Sequence, residues 1–300
     1  MRKLGLTTVT LLLAFMMLSC SNKEADPIIT DNYVSIPDAN FEKILIELGL
    51  DSDGIINQQI LKEDALSIDK LEINYSNFPY PITNLSGIEE FTNLTYLSAN
   101  QHEIEEIDIS KNVKLDTLSL AGNYLTAIDL SNNNSLQYLS LISNELSSIE
   151  GLSNAQSLKN INLSYNNLKS FILNNSAVES FSITDTLLEE LDVNGAINLK
   201  SLLVTLNQLR SLDVSQNTSL EVLVVSANKL ESINLENNDQ LKYFYASSNS
   251  FTQLDVSEIL QLVDLRVDRN PELSCIRIET GQEIPSVSLD EHQELSEICQ

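Results

Sequence analysis

The chain has 300 residues, 17 basic and 43 acidic side chains, a formal net charge of −26 and 42% apolar residues. That apolar content supports a folded core, and the length accommodates either two ordinary domains or one elongated array. So negative a balance argues against nucleic acid and anionic membrane surfaces as partners, and its plainest use is to keep an exposed protein in solution.

At the N-terminus, Arg2 and Lys3 precede an apolar run from Leu4 to Leu18, too short to span a bilayer comfortably, which ends in Met17-Leu18-Ser19-Cys20. A basic end, an apolar run and small residues before a cysteine resemble the bacterial lipoprotein signal. That resemblance implies removal of residues 1–19 and acylation of Cys20 at its thiol and new amine; an ordinary signal peptide with an incidental cysteine is the alternative. Several acyl chains anchor stably, because burial contributes ~0.8 kcal/mol per CH₂. The implied location is the outer membrane of a Gram-negative bacterium, facing either the periplasm or the outside, with the lipid as the sole membrane contact. Loss of Arg2 and Lys3 leaves 15 basic against 43 acidic residues. Residues 20–32 read as a tether about 20 Å long as a coil. Its Lys23-Glu24 and Asp26 are faintly similar to the charged tags that send some lipoproteins to the cell surface.

Residues 33–67 read as an N-terminal cap. Asp38 or Asn40 can cap a helix from Ala39 to Leu48, with Phe41, Ile44, Leu45 and Leu48 on one face and Gly49 as the stop. Asp51-Ser52-Asp53-Gly54 invites a calcium-loop reading but fails it: with Gly54 as the turn glycine, the first ligand position falls on Gly49 and the closing one on Ile60. A polar turn leading to a second short helix, Gln58 to Leu66, is expected instead.

Residues 68–274 carry a repeat. A lead-in unit, with Ile68, Leu71 and Ile73 at its apolar places and an insertion Phe78-Pro79-Tyr80-Pro81, is followed by nine units beginning at Leu94, Leu115, Leu136, Leu158, Val178, Leu199, Leu220, Leu241 and Leu262. The period is 21 with one 22 and one 20. Leu115-Asp-Thr-Leu118-Ser-Leu120-Ala-Gly-Asn123-Tyr-Leu125 matches L-x-x-L-x-L-x-x-N-x-L, the signature of a leucine-rich-repeat solenoid. The expected fold is that solenoid, of the α/β horseshoe type but β-rich, with little helix in the repeats. Counting from each first residue, +0, +3 and +5 are apolar throughout, and +3 and +5 suit the inward side of a short strand. Position +8 is Asn123, Asn144, Asn166, Asn207, Asn228, Asn249 and Asn270, with His102 and Thr186 in the other two units. An amide there serves both donors and acceptors of a buried turn, so stacking predicts a ladder. Positions +10, +13 and +15 are mostly apolar, as in Leu209, Leu212 and Val214, with Gly151 an exception. The +14 place is acidic at Asp108, Asp129, Glu150, Asp192, Asp213 and Asp255, which predicts an extended back segment with a solvated acidic column.

Residues Leu85 to Leu94 resemble the connecting half of internalin-type repeats. Ile36 to Phe41 (I-P-D-x-N-F) and Leu212 to Asn217 (L-D-V-S-x-N) resemble secreted and surface bacterial leucine-rich-repeat proteins. After Asn270-Pro271 the pattern slips by one place at Leu273 and Ile276, then fades, so residues 275–300 read as a C-terminal cap. With Cys20 acylated as the lipoprotein resemblance implies, Cys275 and Cys299 are left to form a disulfide stapling that cap, typically contributing ~2–4 kcal/mol. No catalytic domain is expected after the cap, which reaches Gln300.

No nucleophile–base constellation, phosphate loop, cofactor motif or metal cluster is readable; there are two histidines, no tryptophan and eight glycines. Pairs such as Glu189-Glu190 are too common in so acidic a chain to indicate acid–base work. The expectation is therefore a non-enzymatic binding module using the concave sheet, whose outward places are +2, +4, +6 and +7. Units one to five offer Ser98, Ser119, Ser140, Asn162 and Ser182 at +4, with Tyr96 and Tyr138 at +2. Units six to eight turn apolar and aromatic, and the ninth brings Asp264, Arg266, Asp268 and Arg269. Leu203, Leu206, Val222, Val224, Tyr243, Tyr245 and Arg266 are the candidate partner-binding residues, for a protein of unknown identity. Two alternatives stand beside this: a carbohydrate-binding lipoprotein with Tyr96, Tyr138, Tyr243 and Tyr245 as stacking platforms, and a passive envelope component whose strand surface simply favours such residues.

Overall fold

The computed structural model describes residues 32–299. The leader, Cys20 and the tether up to residue 31 lie outside the described residues, as does Gln300.

The cap is held by two carboxylates. One oxygen of Asp38 accepts the N–H groups of Asn40 and Phe41 at 2.9 and 3.0 Å, capping a helix over Ala39–Glu47. Its other oxygen accepts from the Thr83 and Asn84 N–H groups and the Thr83 hydroxyl, tying the helix to the lead-in unit. Phe41, Ile44 and Leu45 are buried, whereas Leu48 is the C-cap residue and is exposed. Glu42, fully buried, accepts the N–H groups of Asn57, Gln58 and Gln59. That anchoring holds the segment extended and, with Gln58 at a φ of 65°, prevents a helix from starting at Gln58. The structure there has a strand, Gln59–Leu61, antiparallel to Tyr33–Ser35, and the second helix follows at Lys62–Ser67. In the intervening turn Asp51 is only 3% exposed and neither of its oxygens has a hydrogen-bond partner. Burial, then the neighbouring Asp53, raises its pKa to about 6.

Beyond the cap, eleven short parallel strands stack in chain order into one front sheet, from Lys70–Glu72 to Ser286–Ser288. Each repeat strand covers +2 to +4. The +3 residues align across neighbours without slip, as in Leu202↔Leu223, Leu223↔Phe244 and Phe244↔Leu265. Leu199, Leu202 and Val204 show why the fold persists: all three are fully buried, and each unit buries its own equivalents against the next. A buried leucine of this kind contributes about 1.5–3 kcal/mol. On the back, short parallel strands pair in patches: Ala127–Asp129 with Ser148–Glu150, Ser170–Ile172 with Glu190–Asp192, and Leu254–Asp255 with Cys275–Arg277 and Glu294–Ser296. Gly151 breaks the apolar +15 column for a backbone reason: its φ is +72°, and a Cβ there would meet the Ser131 nitrogen at 2.2 Å.

The C-terminal segment departs from expectation. Rather than fading, the solenoid makes another coil, with Ser286–Ser288 on the front and Glu294–Ser296 on the back. Ile284, Val287 and Leu289 take the +0, +3 and +5 places. Gln282 and Gln293 reach back to preceding carbonyls as asparagines do elsewhere, which is why an asparagine-based pattern misses this coil. The Cys275–Cys299 disulfide closes its back edge.

Candidate functional site: the front sheet and its supports

The front surface is presented by two ladders. In the first, Asn228 donates its amide hydrogens to the Val204 and Val225 carbonyls at 2.8 and 3.0 Å and accepts the Leu209 N–H at 3.1 Å, joining adjacent coils. Asn123, Asn144, Asn166, Asn207, Asn249 and Asn270 repeat the arrangement. His102 fills the same slot: Nδ1 accepts the Ile82 N–H and Nε2 faces the Ile73 carbonyl, so its proton sits on Nε2. Burial lowers its pKa and keeps it neutral. The Thr186 hydroxyl substitutes by donating to Asn207. The residue before each slot is left-handed, with φ between 55° and 69° from Gln101 through Arg269, and only Gly122 among them is glycine. The ladder bonds hold the chain in that turn.

A second ladder lies on the back. Asn112, Asn133, Asn175, Asn217 and Asn238 lie buried between coils on the back, each donating to two carbonyls of the preceding coil. The signal was the last residue of L-D-V-S-x-N. The aspartate of the same motif also has a local task. Asp108, Asp129, Asp213 and Asp255 accept the N–H two residues on, from Ser110, Ser131, Ser215 and Ser257, at 2.8–2.9 Å. Hydrogen bonds from Ser110 and Ser131 hold the Asp108 and Asp129 carboxyls below the usual carboxylate range. Apart from Glu150, the acidic back column is thus a row of Asx turns, with Asp192 accepting the Asn194 N–H in the same way. Among the described residues, no three His, Cys, Asp or Glu side chains are placed to hold a metal ion.

On the front, register brings most of the candidate residues together. Leu203, Val224, Tyr245 and Arg266 lie in one row across adjacent strands, and Ser201, Val222, Tyr243 and Asp264 in the row beside it. Tyr243 is 38% exposed, and Leu203, Val222, Val224 and Tyr245 are half-buried. Leu206 stands just past the strand end at a left-handed φ of 58° and is 51% exposed. Arg266 is not a free cation. Its guanidinium donates to Asp264 at 2.8 Å and lies 4.4 Å from the Tyr245 ring centre, while the Tyr245 hydroxyl donates to the same carboxylate at 2.9 Å. The Arg266 hydrogen bond lowers the Asp264 pKa below its ordinary value. Asp268 is tied similarly, accepting from the Ser247 and Ser288 hydroxyls.

In units one to five the front side chains bond to one another. Ser98 donates to Asn74 at 2.8 Å, Ser119 to Asn100 at 2.9 Å, and Ser164 pairs with Ser182 at 3.0 Å. The Lys70 ammonium sits 4.6 Å from the Tyr96 ring centre, while Tyr138 is exposed. Along the +1 edge Lys159 and Lys200 both pair with Glu179 at 3.0 and 2.8 Å, and Lys242 pairs with Glu221 at 2.7 Å, so positive charge beside the apolar rows is neutralised. A separate groove of about 790 Å³, lined by Glu105, Glu106, Tyr124 and Glu145 among others, contains none of the candidate residues.

No protein-family model and no curated protein matches this sequence. Solved structures do. The functional domain of InlJ from Listeria monocytogenes, which includes a cysteine ladder, is similar with a TM-score of 0.73 and 24% identity over 89% of this chain and 63% of that one. YopM, a leucine-rich effector protein from Yersinia pestis, gives 0.54 and 23% over 83% and 63%. A leucine-rich-repeat protein from Leptospira interrogans gives 0.51 and 17% over 78% and 86%. The chain spans less than two thirds of the InlJ and YopM chains it matches. In fold, it is a leucine-rich-repeat solenoid whose structural neighbours include bacterial internalin-like proteins.

Proposed function

We propose that this protein is a non-enzymatic binding module of the cell envelope, anchored through Cys20, which captures a protein partner on the front of units six to nine. The observation that carries the reading is the pair of adjacent rows formed by Leu203, Val224 and Tyr245 and by Val222 and Tyr243. They make a partly exposed apolar and aromatic surface without net charge on a chain of net charge −26. The Asp264–Arg266–Tyr245 lock borders it and fixes the aromatic ring in place. A folded partner with apolar side chains flanked by hydrogen-bonding groups complements such a surface. The lock also weighs against the glycan reading, because Arg266 already covers a face of Tyr245.

The test is capture by the purified protein carrying Tyr243→Ala together with Val224→Ser. Both side chains face outward, so loss of about 2 kcal/mol of hot-spot contact lowers affinity roughly thirtyfold while the thermal midpoint barely moves. Unchanged capture from host and bacterial extracts sinks the proposal.

A further inference from the structure

Among the described residues, the two ends of the stacked coils are finished differently. At the N-terminal end Ile68, Leu71 and Ile73 of the lead-in coil are buried, and the cap closes over that end, with Phe41 stacked on Phe91 at 6.2 Å. At the other end the equivalent residues remain partly open: Val287 is 37% exposed, Ile284, Leu289 and Leu295 are half-buried, and Ile298 is 77% exposed. Ser286–Ser288 is the last strand of the front sheet and Glu294–Ser296 the last of the back sheet among the described residues.

The main chain is also open there. Ser286 donates its N–H to the Val263 carbonyl, and the Ser288 carbonyl accepts the Val267 N–H, so both residues face the preceding coil. Alternation along a strand then turns the N–H and C=O of Val287 to the free side. An edge of this kind pairs with an added strand. Charge selects which strand. Residues 279–299 hold Glu279, Glu283, Asp290, Glu291, Glu294 and Glu297 and neither lysine nor arginine. A second copy brings the same carboxylates and is repelled.

We infer that the C-terminal edge of the solenoid accepts an extended segment of another protein, with alternating basic and apolar residues, which adds as a strand against Ser286–Ser288. Its main chain pairs with Val287, its apolar side chains cover Ile284, Val287 and Leu289, and its basic side chains meet Glu283, Asp290 and Glu291. The site is separate from the front-face surface and does not depend on it.

Fluorescence anisotropy of the purified protein with three labelled hexapeptides tests this. Lys-Val-Lys-Val-Lys-Val is expected to bind at least tenfold more tightly than Lys-Pro-Lys-Pro-Lys-Pro, which has the same charge and no N–H at its proline positions, and than Glu-Val-Glu-Val-Glu-Val. Val287→Pro removes the outward N–H and keeps the bonds to the preceding coil; it is expected to weaken the lysine–valine peptide tenfold. Should Val287→Pro loosen the last coil, the double variant Glu283→Gln, Glu291→Gln decides, with severalfold weaker binding expected. Equal binding of the lysine–proline peptide shows attraction to bulk acidity only and overturns the inference. Equal affinity of the double variant, or a dimer in sedimentation that Val287→Pro abolishes, also overturns it.

Discussion

The front of units one to five and the front of units six to nine share strand length, register and core, yet their outward chemistry is opposite. In the first half the hydroxyls and amides satisfy one another, as in Ser98 with Asn74 and Ser119 with Asn100. In the second, Leu203, Val222, Val224 and Tyr243 offer partly exposed alkyl and aromatic surface that makes no such mutual hydrogen bonds. Packing dictates the +3 row in both halves but leaves +2 and +4 free. A difference confined to these rows is therefore not dictated by the core, and it is the difference on which the proposed partner surface rests.

Neighbouring residues make this separation testable. The largest effect is expected for Leu223→Ala, which empties a fully buried site and costs about 2–5 kcal/mol, whereas the adjacent Val224→Ser costs under about 1 kcal/mol; denaturation midpoints of the two variants measure the contrast. Next, Asn228→Ala leaves the buried Leu209 N–H without its partner and takes one of two ladder amides from each of the Val204 and Val225 carbonyls, which keep Asn207 and Asn249, a loss of about 1–3 kcal/mol. An equal substitution on the front, Asn162→Ala, is expected to cost far less. The cap supplies a pH control outside both halves. The Asp51 pKa is raised to about 6, above its unfolded value, so stability is lost as pH rises from the ordinary aspartate range through about 6. Asp51→Asn should raise the midpoint by the equivalent of about 1 kcal/mol at pH 7.5, and the gain should vanish as pH falls below the ordinary aspartate range. The smallest effect is Leu206→Gly. Glycine relieves a left-handed φ of 58°, for a gain of about 0.5 kcal/mol, yet removes an exposed side chain of the proposed binding surface. Stability rising while capture falls separates the two roles at one residue.

Much of this architecture was legible from residue type at a fixed period. Leu, Ile and Phe at +3, and Asn at +8, are buried in repeat after repeat, so the pattern exposes them. The second ladder was hidden because Asn217 and its equivalents sit in polar turns, where asparagine ordinarily reads as surface. The acidic column is exposed to solvent, as its residue type indicates, but the added Asx bonds within it, such as the Ser215 N–H donating to Asp213, are local and were not legible from the period. The last coil was concealed by Gln282 and Gln293, whose longer side chains reach the carbonyls from shifted positions. On the front, sequence placed the candidate residues in columns, but the Asp264–Arg266–Tyr245 lock depends on side-chain orientation across two strands.

The most direct test sets the two halves against each other in one capture assay. Tyr243→Ala with Val224→Ser alters the apolar half, and Tyr138→Ala with Ser119→Ala alters the polar half, both on the same scaffold. The account predicts at least a tenfold loss of partner capture for the first pair and little change for the second. Loss in the second pair with retention in the first contradicts it.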